Sequence, residues 1–147
     1  MVAMLKETLE SRILDGIPLS RNMAFRVIEL APTTIKVIGD EQPNVNVHGT
    51  AFAGSLYCIC TLAVWGLVYS RLPGQASLVL ASGHIDYLKP VIGNIVAEGS
   101  VKAEAMDEFL ENLQNKGKSR IDATATIEHD GHAAVRFTAS LYARIGD

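Results

Sequence analysis

Cysteine is scarce in this sequence: Cys58 and Cys60 are the two among 147 residues. Two positions apart on a helix, they would point about 200° away from each other, which excludes a disulfide between them. Buried free thiols are the expected reading, and they suit a reducing cytoplasm. No charge stands near them in sequence to lower a thiol pKa, so a nucleophile is the lesser reading. Basic charge is not in excess either. Lys and Arg number 13 against 16 Asp and Glu, a net charge of −3. That excludes a nucleic-acid surface over the whole protein and leaves room for a local basic patch. The N-terminal MVAMLKETLESRI mixes acids with bases and has no secretory h-region, so a cytoplasmic protein is expected. Repeats, linkers and low-complexity tracts are absent.

The absence with the largest consequence runs from Gly49 to Ser70, where no residue is charged. That length is near the roughly 20 apolar residues a membrane span requires. Gly54, Ser55, Tyr57, Thr61 and Gly66 lower its apolarity, its flanks are not basic, and it sits inside a continuous strand pattern. A buried helix over Thr50–Arg71 is the better reading, and no membrane partner is expected. At ~1.5 Å per residue it would be about 33 Å long, the width of six strands at ~4.8 Å spacing.

Around that helix the chain reads as sheet. Its 147 residues suit one domain over 1–147, with 48% hydrophobic residues to fill one core. Met4, Leu5, Leu9, Ile13 and Leu14 fall at helical spacing, and DGIPLS ends that helix. AFRVIEL and TIKVIGD predict two strands around APTT. A long strand is expected over Ser77–Lys89, where Leu78, Leu80, Ser82, His84, Asp86 and Leu88 alternate with Val79, Ala81, Gly83, Ile85 and Tyr87. A cleaner strand follows over Ile95–Glu104. MDEFLENLQNKG predicts a short helix or ordered loop ending at Gly117. Ile121–Glu128 and Val135–Arg144 form a hairpin turned by HDGH. The expected class is α+β: an antiparallel sheet whose apolar face is covered by one long helix that is hydrophobic all round.

Such a sheet wrapped around a long central helix resembles the hotdog fold. HGTAFAGSLY resembles the start of a hotdog central helix, and HIDYLKPVIGN the hotdog strand that ends in a Leu-x-Pro-Val turn. More narrowly, PNVNVHGTAFAGSLYCICTLAVWGLVY resembles the C-terminal domain of the YiiD family and its standalone relatives, long grouped as thioesterases. The resemblance implies a thioester-acting enzyme, malonyl-acyl-carrier-protein decarboxylation as its chemistry, and a homodimer with sites at the interface. It also implies that Asn46 holds the position of the critical loop asparagine.

The residues speak to that chemistry directly. Unpaired N–H groups and a partial positive charge at a helix N-terminus offer donors to a thioester oxygen. Gly49 lets a ligand approach the backbone, and Ala51, Ala53, Gly54 and Ser55 keep the first turns small. The bland reading is that Thr50 caps the helix. Many hotdog thioesterases place an acid on this helix, yet residues 50–70 contain no carboxylate and Tyr57 stands in that region. Hydrolysis by a helix-borne base is thereby disfavoured. Decarboxylation needs donors for an enolate oxygen and no base, which suits neutral Asn46. His48 either donates to the thioester oxygen or braces the loop, with bracing preferred. Thr50, Ser55 and Tyr57 are candidate pocket residues or simple packing. Asn44 reads as a turn residue, His84–Asp86 as a structural pair, and Trp65 and Tyr69 as core or dimer contacts. His129 and His132 lack further ligands, so neither metal nor cofactor is expected. Lys116, Lys118 and Arg120 form a compact basic segment that suits an acidic acyl carrier protein; a solvated loop is the plainer reading. The expected partners are that carrier or a coenzyme A thioester, and a second copy. The alternatives are an acyl-thioester hydrolase and a non-catalytic thioester-binding module.

Overall fold

The computed structural model describes residues 3–146. The elements are α1 (Lys6–Gly16), α2 (Leu19–Asn22), β1 (Phe25–Leu30), β2 (Thr34–Gly39), α3 (Ala53–Tyr69), β3 (Ala76–Tyr87), β4 (Ile95–Ser100), α4 (Ala103–Lys116), β5 (Lys118–His129) and β6 (His132–Ile145). The strands form one antiparallel sheet in the order β1-β2-β4-β5-β6-β3. Its apolar face curls around α3, ten of whose residues are buried, including Ile59, Ala63, Val64 and Leu67. This is the hotdog architecture. The absence of charge along α3 therefore reflects enclosure by protein: no helix among the described residues is long and apolar enough to cross a membrane.

Small residues let the layers close. An added Cβ at Gly99 of β4 would lie 3.0 Å from Ile35, and one at Gly66 of α3 would lie 3.3 Å from Ile13. Gly66 thus gives α1 its seat, where Leu9 and Ile13 are fully buried. The β5–β6 turn follows its sequence signal: Asp130 and Gly131 both take positive φ, as the tightest hairpin turns require.

Several boundaries differ from the sequence reading. Strands β5 and β6 each begin three residues earlier, at Lys118 and His132. Helix α3 has 17 residues and starts at Ala53, three later than Thr50. The preceding residues are occupied by a closed loop, and Phe52 is the N-cap residue. Strand β4 stops at Ser100; Val101 N–H adds one last bond in the β2 register, to Thr33 O, and the chain then enters α4. The alternation of Val101 and Ala103 belongs to the approach to α4, not to a strand. Helix α4 is a full 14 residues; it buries Met106, Phe109 and Leu113 and ends on left-handed Gly117.

Strand β3 is an open edge with a bulge between Leu80 and Ser82. The bulge shifts the inward set from Leu78 and Leu80 to Gly83 and Ile85. The inward positions therefore belong to both alternating sets. Ile145 gives its N–H to Gly117 on the β5 side, so Arg144 and Tyr142 bond Ser77 and Val79 of β3. Leu78 therefore turns its polar groups outward, and the Trp65 indole N–H takes its carbonyl at 3.0 Å. Beyond the bulge the backbone groups of Gly83, Ile85 and Tyr87 face outward without a strand partner.

Gly83 is tightly placed: an added Cβ would lie 2.4 Å from the Tyr57 hydroxyl and 3.3 Å from the Phe137 ring. Gly83→Ala is expected to lower stability by about 1–3 kcal/mol through overpacking. Adding Tyr57→Phe removes the closest atom and should restore part of the loss. Denaturant melts of both variants check this, and equal loss in single and double variants would rule out the contact as the cause.

Candidate active site

Asparagine 46 organises the loop that leads into α3. Its Oδ1 accepts from His48 N–H at 2.8 Å and Thr50 N–H at 3.2 Å. These two donors fix the amide orientation, because the reverse would set N–H against N–H. Nδ2 then donates to Thr50 Oγ1 at 2.9 Å and, at a long 3.4 Å, to Ala51 O. The backbone closes the same turn, Asn46 N–H to Thr50 O and Gly49 N–H to Asn46 O, with Gly49 at φ +78. Thr50 is thus an acceptor for Asn46 and caps nothing, and the capping reading is corrected. His48 contributes through its backbone; its exposed imidazole bonds to nothing among the described residues.

The loop is cinched at its base. Val45 bridges Ala51, Phe52 N–H bonds Asn44 O, and Ala51 N–H reaches Val91 O in the β3–β4 connection. Asn44 closes the 3-10 turn Gln42–Asn44, as its turn reading expects, and is also a buried anchor: its Nδ2 donates to Met23 O and Asp40 O. Helix α3 then begins with no side-chain cap, so the N–H groups of Ala53, Gly54 and Ser55 have no intrahelical partner. The Phe52 ring lies over Gly54, where an added Cβ would come within 2.5 Å of it.

Strand β3 delivers Tyr87 to the same place, where its hydroxyl donates to Ala53 O at 2.9 Å. Partial burial first, then Cys60, Tyr57 and Cys58, push this phenol above its usual range, so it stays a donor. Burial pushes Cys60 up to about 12 and raises Cys58 as well, which keeps both as thiols and removes the nucleophile reading. Ser55 is buried in the first turn of α3. Tyr57 packs edge-on to Phe137 with ring centres 5.1 Å apart. The sequence did not mark Phe52 and Tyr87 for the site, although HGTAF and HIDYLKP contained them. The rim is apolar and open: Val47 is 95% exposed, Ile92 59% and Phe52 55%.

Between Asn44 and Tyr57 there is no carboxylate, and the side chain of Asp40, whose backbone carbonyl Asn44 holds, is paired with Arg26. The arrangement offers neutral donors around a partial positive charge. It suits stabilising a developing oxyanion and supplies no base to activate water.

The other sequence candidates lie apart. His84 and Asp86 pair at 3.1 Å on the exposed face of β3. Lys116 ends α4, and Lys118 and Arg120 stand on the outer face of β5. They occupy the opposite end of the sheet. The loop lies at the end marked by Gly39, Ile95 and Ile127, whereas Lys118 pairs with Arg144 at the far end. Arg144 extends the basic group; seeing it required the β5–β6 register.

Comparison with known proteins agrees with this architecture. A crystal structure of a protein of unknown function from Chlorobaculum tepidum matches with TM-score 0.88 and 26% identity, covering 96% of this chain and 94% of that one. A structure from Shewanella oneidensis described as a "putative thioesterase" matches with TM-score 0.84 and 29% identity, over 96% and 97% of the two chains. A Pseudomonas aeruginosa protein shares the fold at TM-score 0.85 and 16% identity, over 99% of each chain. A family model described as "Putative thioesterase (yiiD_Cterm)" matches residues 6–144. With nearly its whole length matched and the helix, sheet and loop in place, the chain belongs to the YiiD_C thioesterase family of hotdog proteins.

Proposed function

We propose that this protein decarboxylates a malonyl thioester carried on acyl carrier protein, giving an acetyl thioester and CO2, and that it works as a homodimer in the cytoplasm. The observation that carries the reading is a site of neutral donors without a carboxylate, centred on the Asn46 amide. In the reaction the bond between the α-carbon and the carboxylate breaks and CO2 leaves. The electron pair passes onto the thioester oxygen as an enolate, and a solvent proton on the α-carbon completes the product. Asn46 Nδ2 supports that oxygen: its 3.4 Å contact to Ala51 O is long enough for a substrate oxygen to replace. The α3 N–H groups add to it. His48, Gly49, Thr50, Ser55 and Tyr57 shape the surrounding loop and wall.

The dimer rests on the open outer edge of β3, since such edges pair readily. Two copies of one edge meet about a two-fold axis antiparallel, because a parallel in-register pair would set N–H against N–H. Hydrolysis is the second reading, favoured by the thioesterase description of the family. Malonyl and longer acyl thioesters, on carrier protein and on coenzyme A, separate the two. CO2 release with the thioester intact is expected. Free thiol without CO2 would replace the proposal with hydrolysis, and carrier binding with neither product would leave a binding module.

A further inference from the structure

We infer that the carrier protein docks on the basic surface of one protomer and delivers its acyl group to the site of the partner. This rests on the carrier-thioester reading and on the β3-edge dimer. The surface comprises Lys116, Lys118, Arg120 and Arg144. None of the four is in an ion pair among the described residues, where five pairs are found elsewhere. Lys118 and Arg144 stand directly opposite each other in a non-hydrogen-bonded pair, where side chains are closest. Like charges in that position are destabilising, so an acidic partner complements them well. Acyl carrier proteins are acidic, which makes them the occupant that charge selects.

Within one chain the surface serves its own site poorly. From Lys118 to Ile127 alone is roughly 30 Å at ~3.3 Å per residue, and the Asn46 loop lies beyond that end. The antiparallel seam changes the geometry. Ala76 pairs Ile145 at the basic end of the sheet, and Tyr87 reaches Ala53 at the site end. With a two-fold axis near Ile85, reversing one β3 against the other sets the partner's site end about seven residues, roughly 23 Å, along the strand from Ala76, against about eleven residues, roughly 36 Å, within one chain. Sideways, Arg144 and Lys118 lie one and two strands from the seam, about 5–10 Å at ~4.8 Å per strand. The carrier's tether then crosses the seam instead of running the length of the sheet.

The test is complementation between two differently tagged chains, Asn46→Asp and Lys118→Glu/Arg120→Glu/Arg144→Glu. Each homodimer should turn over malonyl-carrier slowly. For the triple variant, the ratio of carrier to coenzyme A turnover should fall about tenfold or more, since docking charges act on encounter. The purified hybrid should regain about half the wild-type carrier rate, because one of its two sites has both an intact loop and an intact partner surface. A hybrid no faster than the homodimers would overturn delivery across the seam, and an unchanged carrier ratio in the triple homodimer would overturn the surface itself. CO2 and thiol are followed together, so a hydrolase would still score the complementation. A photo-reactive acyl end on the carrier gives a readout that needs no turnover. In the hybrid it should crosslink to the chain bearing the triple substitution, and crosslinking to the Asn46→Asp chain would overturn the inference.

Discussion

Asn46→Asp should lower CO2 release by about 10²–10³-fold, the typical loss when one oxyanion donor is removed. The substitution isolates the donor from the loop. Aspartate keeps an oxygen for the His48 and Thr50 N–H groups, and the Thr50 hydroxyl can turn to donate to the other oxygen. What disappears is the Nδ2 donor, replaced by a negative charge facing both the malonyl carboxylate and the enolate. The fall should appear in kcat, with the amide signals of His48 and Thr50 in place by NMR. Asn46→Ala should lose a similar factor and also raise KM, since the turn loses all four side-chain contacts. Near-wild-type CO2 release from Asn46→Asp would reduce Asn46 to a loop brace and end the mechanism proposed here.

Proline at Ile85 should separate folding from assembly. The Ile85 N–H faces away from β6, so proline there removes no hydrogen bond inside the sheet. In the proposed dimer it removes one donor from each strand at the seam and sets a ring against the partner. Association should weaken by about a hundredfold or more, from two lost bonds of ~1 kcal/mol each plus the steric clash. Ile85 is half-buried, so some stability is lost as well. Circular dichroism should still show the folded sheet. Sedimentation at low micromolar concentration should show a monomer, with turnover lost in parallel. A dimer that survives Ile85→Pro unchanged would place the interface elsewhere.

The order of elements was legible because strand alternation and an uncharged helix are properties of the chain itself. The central helix announced its burial by lacking charge, and the Asp130–Gly131 turn announced its hairpin. Positions decided by tertiary neighbours were hidden. The bulge before Ser82 moves the inward face from one alternating set to the other, which a single regular alternation does not show. Val101 and Ala103 kept the alternation going past Ser100, where the strand ends and the chain turns into α4. Asn46 stood out by its match to the loop asparagine of the family it resembles, and its neutral donors suit the chemistry. Its second task, holding His48 and Thr50 by their backbone, depends on a turn geometry that composition does not encode. Arg144 joined Lys118 only through cross-strand register.

The hydrogen bond from Trp65 to Leu78 gives the protein an optical gauge of the proposed seam. Trp65 is the one tryptophan in the sequence, stacked on Tyr69 with ring centres 4.6 Å apart. Its indole N–H is tied to the outward carbonyl of the edge strand, immediately before the stretch left free for pairing. Excitation selective for tryptophan therefore samples this single place in the molecule. If the proposed dimer forms, its emission maximum and polarisation should change on dilution as the two copies separate, with no dye attached and no background from a second indole.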